Sequence, residues 1–122
     1  MARVVARIYH IALERDWRDA QRHGEYRIST LGRTLEEEGF IHCSDAHQVA
    51  PTANAFYAGR DGLVLLVIDA DRLRSELRYD TAPGTDQRFP HVYGPLDLDA
   101  VVRVSPFAPG PDGAFAFDAS EH

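Results

Sequence analysis

Lysine is missing from this chain of 122 residues, and all 13 basic side chains other than histidine are arginine. A GC-rich genome accounts for this more simply than selection for bidentate anion contacts. Cysteine, methionine and tryptophan occur once each. A single cysteine, Cys43, excludes an intrachain disulfide, and it reads as a buried inert thiol before a nucleophile. No apolar run reaches the length of a membrane span, and Met1-Ala2-Arg3-Val4-Val5 does not open like a signal peptide. The expected home is therefore the cytoplasm, with no membrane partner. Positive charge is scarce too: the formal charge is -6 and the pI about 5.4. Double-stranded nucleic acid is disfavoured as a partner, because displacing its counterions needs a basic face. Nor is there a phosphate loop, since Gly59-Arg60-Asp61-Gly62 is a turn and not a glycine-rich cradle opening a helix.

A hydrophobic fraction of 44% with little low-complexity sequence indicates a globular core. The length suits one compact domain, expected over residues 1–106, with 107–122 as a tail or an edge strand carrying Phe115 and Phe117. Val4 to Leu13 reads as a first strand, followed by a helix from Trp17 to His23 that Asp16 or Glu14 caps and Gly24 stops. Ser29 or Thr30 is expected to cap a helix from Leu31 to Glu38, ending at Gly39. Phe40 to Ser44 is extended, and Asp45 begins a helical stretch that Pro51 breaks into two short pieces. Leu63 to Asp69, a continuous apolar run after Asp61-Gly62, predicts a central strand buried on both faces. A one-turn helix to Leu73, a strand at Leu77–Asp80, a loop to Arg88 and a last strand over Val101–Val104 complete the chain. Strands first, middle and last with small helices between them make an α+β domain with a mixed or antiparallel sheet.

Chemistry concentrates in Gly39-Phe40-Ile41-His42-Cys43-Ser44-Asp45 and Phe89-Pro90-His91-Val92-Tyr93-Gly94-Pro95, with a third histidine, His10, near the start. Each histidine sits where extended hydrophobic sequence meets polar side chains, and together they predict a convergent polar pocket. Metal binding is one reading, but His42 and His47 are five apart across a strand and a turn, unlike the close histidine pairs of catalytic zinc sites. A serine hydrolase is another, yet no Gly-x-Ser-x-Gly elbow is present. The third is a pocket gripping a polar ligand: His42 and Ser44 share a strand face at about 7 Å, His91 and Tyr93 repeat the spacing, and Tyr26, Phe56, Tyr57 and Tyr79 offer rings. Among carboxylates, Asp45, Asp80 and Asp86 are equal candidates.

The Gly39–Ser44 run, Gln48, Ala53-Asn54-Ala55-Phe56-Tyr57 and Phe89-Pro90-His91-Val92-Tyr93-Gly94-Pro95-Leu96 closely resemble the bacterial family catalogued as domain of unknown function 952, over about residues 7–105. The resemblance implies a fold like the catalytic domain of ADP-ribosyltransferases and RNA 2'-phosphotransferases: a split, strongly bent sheet holding NAD, with a small-molecule nucleotide as partner and no metal. It further implies that His10 and Ser44 hold ribose hydroxyls, that Tyr57, after Thr52, stacks on a base, and that His42 and His91 give and take protons, with Gln48 and Tyr93 also touching the ligand. One departure stands out: those transferases carry a late glutamate, where this chain has His91 and Tyr93. The arginines on which the RNA phosphotransferases rely have only Arg27, Arg60 and Arg88 as candidates. The alternatives are a non-catalytic module for a nucleotide or small metabolite and a histidine-ligated, metal-dependent hydrolase.

Overall fold

A computed structural model describes residues 6–121. Its ten strands are β1 (Arg7–Leu13), β2 (Glu25–Tyr26), β3 (Ile28–Thr30), β4 (Arg33–Thr34), β5 (Ile41–His42), β6 (Leu63–Asp69), β7 (Glu76–Thr81), β8 (Arg88–Tyr93), β9 (Leu96–Asp97) and β10 (Val101–Phe107). Three α-helices, α1 (Glu14–His23), α2 (Leu35–Glu38) and α3 (Val49–Phe56), lie in the first half. The architecture is α+β with antiparallel sheets. Val4 and Val5 of the expected first strand lie outside the described residues.

The run Leu63–Asp69 is fully buried along its length and forms the centre of a three-stranded sheet, β1-β6-β10. Side chains alternate across a strand, so β6 builds two cores. Val64, Leu66 and Ile68 pack with Ile8, Tyr26, Ile41, Val92 and Leu96. Leu63, Leu65 and Val67 pack with Tyr9, Ile11, Val49, Tyr57, Phe107 and Phe115. Burial of each such large apolar side chain contributes about 1.5–3 kcal/mol.

A second antiparallel sheet, β5-β8-β7, is anchored by the β7–β8 hairpin. An isolated pair joins the two sheets: the Tyr9 amide donates to the Ser44 carbonyl at 2.8 Å and the Ser44 amide to the Tyr9 carbonyl at 2.7 Å. Short ribbons β2-β9 and β3-β4 close the flank.

Helix boundaries differ from expectation in instructive ways. Helix α1 begins directly after β1, with Leu13 as an uncapped N-terminal residue and Glu14 and Asp16 inside the first turn, where their charges face the positive end of the helix. Ser29 and Thr30 belong to β3, and the following helix is one turn long and starts at Leu35, because Thr34 and Glu37 form a reciprocal capping box. Gly39 ends it in the left-handed region at φ 87°, donating its amide to the Leu35 carbonyl. The helical stretch after Asp45 does divide in two: a 3-10 turn over Ala46–Gln48 precedes α3, and Pro51 occupies the first turn of α3, where a missing amide breaks no helical bond. Beyond β10 the chain adds no strand among the described residues. It docks through Phe115, stacked on Phe107 at 5.0 Å, and through Asn54, whose amide and carbonyl bond the Phe115 backbone at 3.1 and 2.8 Å.

Candidate functional site

Between the two sheets lies a cavity of about 680 Å³. From β1 it takes Tyr9 and Ile11; from β5 and the residues beyond it, His42, Cys43 and Ser44; from α3 and its end, Thr52, Phe56 and Tyr57. The hairpin supplies Asp80, Thr81, Ala82, Pro83, Phe89, His91 and Tyr93, while Thr30 and Phe40 complete the wall. Cross-strand register explains the polar end. His42 pairs with His91, Arg78 with His91, Asp80 with Phe89 and Glu76 with Tyr93, and residues directly opposite share a face. Even positions of β7 and odd positions of β8 therefore face the same side as His42.

His91 is the centre of this group. Its ring stacks on Phe40 at 4.0 Å and meets His42 edge-on at 5.2 Å. Its Nδ1 lies 2.8 Å from Asp80 Oδ2. An ionised carboxylate only accepts, so Nδ1 carries the hydrogen and Nε2 keeps its lone pair. Burial lowers the His91 pKa and outweighs the opposing pull of Asp80. The Tyr93 hydroxyl donates to the same Oδ2. These two bonds, Tyr93 first, hold the Asp80 carboxyl below its usual range, and the bond to Asp80 in turn raises the Tyr93 phenol. The cavity thus holds an ionised carboxylate bonded to a neutral imidazole, with His42 beside them bonded to Glu38 at 3.2 Å.

Of the residues picked out in the sequence, His42, Ser44, Thr52, Tyr57, His91 and Tyr93 line this one cavity. His10 and Gln48 do not. His10 lies on the face of β1 opposite Tyr9 and Ile11, is 2% exposed, and has both nitrogens engaged: Nδ1 donates to the His42 carbonyl at 2.5 Å, and Nε2 meets the Tyr26 hydroxyl at 2.9 Å. Its role is to hold the backbone of His42, and no ribose hydroxyl can reach it. Gln48 ties the start of α3 to β8: its carbonyl accepts from the Asp45 amide at 2.9 Å and its amide donates to the Arg88 carbonyl at 2.6 Å. Asp80 is singled out among the three candidate carboxylates, because Asp45 accepts from the Tyr79 hydroxyl at 2.7 Å and neither Asp45 nor Asp86 lines the cavity. Sequence reasoning passed over Phe40, Tyr9 and Phe89 as cavity walls. The alternation of Phe89, His91 and Tyr93 was the available signal for the last of these.

Cys43 also borders the cavity, yet it is 4% exposed and burial pushes its thiol pKa upward. Alkylation of the native protein by iodoacetamide should accordingly be slow and accelerate only on unfolding. Rapid labelling of the folded chain would reveal an activated thiolate and reverse this assignment. Among the described residues, no group of three or more histidine, cysteine or acidic side chains is arranged to hold a metal, and no helix is long and apolar enough to cross a membrane.

A family model described as "Protein of unknown function (DUF952)" matches residues 11–104. Among solved structures, the chain is similar to the crystal structure of protein CC0527 from Caulobacter crescentus, with 32% identity over 91% of this chain and 94% of that one and a TM-score of 0.79. A double-mutant form of CC0527 matches at 31% identity with the same coverage and TM-score. Its solution NMR structure matches at 32% identity over 88% and 90% of the two chains, with a TM-score of 0.74. No curated protein matches.

Proposed function

Starting from a chain that belongs to the DUF952 family, we propose that the inter-sheet cavity binds NAD or a related nucleotide by its nucleoside end, as a transferase of ADP-ribosyltransferase-like fold would. The observation that carries this reading is the Asp80–His91 couple, bonded at 2.8 Å inside an aromatic-walled cavity between two sheets. A split between the sheets, bridged at Tyr9 and Ser44, supports the fold assignment. Tyr57 and Phe56 offer surfaces for a base, and Ser44 and Thr52 offer hydroxyls for a ribose. Phosphates stay outside, because none of the described arginines lines the cavity; Arg78 stands behind that wall, its guanidinium 4.5 Å over the Tyr93 ring.

Transfer from an N-glycoside develops positive charge at the sugar carbon, and a preorganised carboxylate stabilises it. As the glycosidic C–N bond breaks and the base leaves with its electron pair, Asp80 supplies that carboxylate where a late glutamate is missing, while the acceptor hydroxyl oxygen bonds to the sugar carbon and gives its proton to His91 Nε2. His42, 5.2 Å away ring to ring, is the second proton carrier.

Thermal melts with NAD, ADP-ribose and adenosine test binding. A ligand at a hundredfold excess over its Kd should stabilise the fold by about 2.7 kcal/mol, a shift of several degrees in Tm. His91→Ala should abolish it. Absence of any shift across the three ligands would remove the nucleotide reading. Shifts without turnover of NAD would reduce the protein to a binding module.

A further inference from the structure

The cavity is rich in rings and poor in positive charge. Phe40, Phe56, Tyr57, Phe89 and Tyr93 all border it, and Phe56 is 74% exposed, an unusual position for so large an apolar ring. Aromatic faces carry negative potential and attract cations within about 6 Å of the ring centroid. The only carboxylate among the lining residues is Asp80. Both hydrogen bonds that it receives, from His91 Nδ1 and the Tyr93 hydroxyl, end on Oδ2, which leaves Oδ1 without a partner among the described residues. None of the described arginines lines the cavity; Arg78 acts on the Asp80 charge from outside it, over the Tyr93 ring. The Arg78 guanidinium is committed to Glu76 through two bonds of 2.7 and 3.0 Å, and His42 faces Glu38. An anion in the cavity would meet a carboxylate and the negative faces of the rings, with no arginine among the described lining residues to receive it.

We propose that the cavity selects a flat organic cation, sandwiched by the aromatic walls with its positive charge at Asp80 Oδ1. This rests on the reading of the cavity as the ligand site and narrows it: the part of a nucleotide that enters is a positively charged heterocycle, and neutral or acidic rings of equal size are discriminated against. A single charge contact supported by cation–π attraction supplies roughly tenfold in affinity.

Calorimetric titration of the full chain near neutral pH with N-methylquinolinium, quinoline and quinoline carboxylate presents one ring in three charge states. The expected order is cation, neutral, anion, with the cation about tenfold tighter than the neutral ring. Asp80→Asn should compress the first two to near equality while its melting curve shows a folded protein. The wild-type order stands as the test even if that variant fails to fold. Equal or tighter binding of the carboxylate, or no heat from any of the three probes, overturns the inference. A protein that responds to adenosine or ADP-ribose yet ranks the probes indifferently loses the charge selectivity and keeps the nucleotide reading. One that ranks the probes by charge and ignores every nucleotide does the reverse.

Discussion

Acidification from pH 6.5 to about pH 4 is expected to remove about 3 kcal/mol of folding stability through His10 alone. Burial depresses the His10 pKa from 6.5 to about 4, outweighing the hydrogen bond to the His42 carbonyl that favours the charged ring. Within that window the unfolded chain takes up a proton that the folded chain refuses. Stability therefore falls as the pH drops through the window and returns as it rises. The neutral ring is also the one its surroundings fit, since Nδ1 donates to a carbonyl while Nε2 accepts from the Tyr26 hydroxyl. Urea melts from pH 7 downward would measure the slope. His10→Gln should be less stable at neutral pH and show a shallower dependence. His91, whose pKa burial also lowers, leaves a smaller slope of the same sign in the variant. An unchanged slope in the variant would place the titrating group elsewhere.

Leu66→Ala should cost about 2–5 kcal/mol, the usual range for a buried leucine whose cavity cannot collapse. Leu66 is fully buried at the middle of β6, opposite His10 on one side and Val104 on the other. Strands on both flanks prevent the backbone from closing the void. Against a typical total of about 5–15 kcal/mol, this is a large share. The urea midpoint should fall with little change in the m-value. Because Leu66 faces the core that excludes Tyr9 and Tyr57, the folded fraction should keep its ligand response. A loss under about 1 kcal/mol would mean that β6 is not the buried centre of the sheet.

Legibility of the fold followed from burial. A strand covered on both faces carries no alternation to misread, so the run Leu63–Asp69 announced itself. The Thr34-Leu35-Glu36-Glu37 capping box was equally visible, but the apolar Leu31 and the neighbouring hydroxyls of Ser29 and Thr30 competed with it. His10 was harder. Both faces of β1 are buried, Ile8 and Ala12 on one and Tyr9 and Ile11 on the other. Period-two patterning separates those faces without saying which one borders a void. Asp80 was hidden for a different reason, because its neighbours are set by the hairpin register that pairs Thr81 with Arg88. Once that pair is fixed, Asp80 sits diagonal to His91, within reach of its ring. Gln48 is a ligand contact only on the family resemblance, and here the backbone takes both ends of its amide.

The isolated Tyr9–Ser44 pair has a mechanical meaning. Each sheet keeps its own ladder of hydrogen bonds, so neither ladder dictates the gap separating the walls. The width is set by what spans the gap, the His10 bond to the His42 carbonyl and the packing of Ile8 with Ile41 and Val92, so side chains and not main-chain pairing fix the size of the chamber.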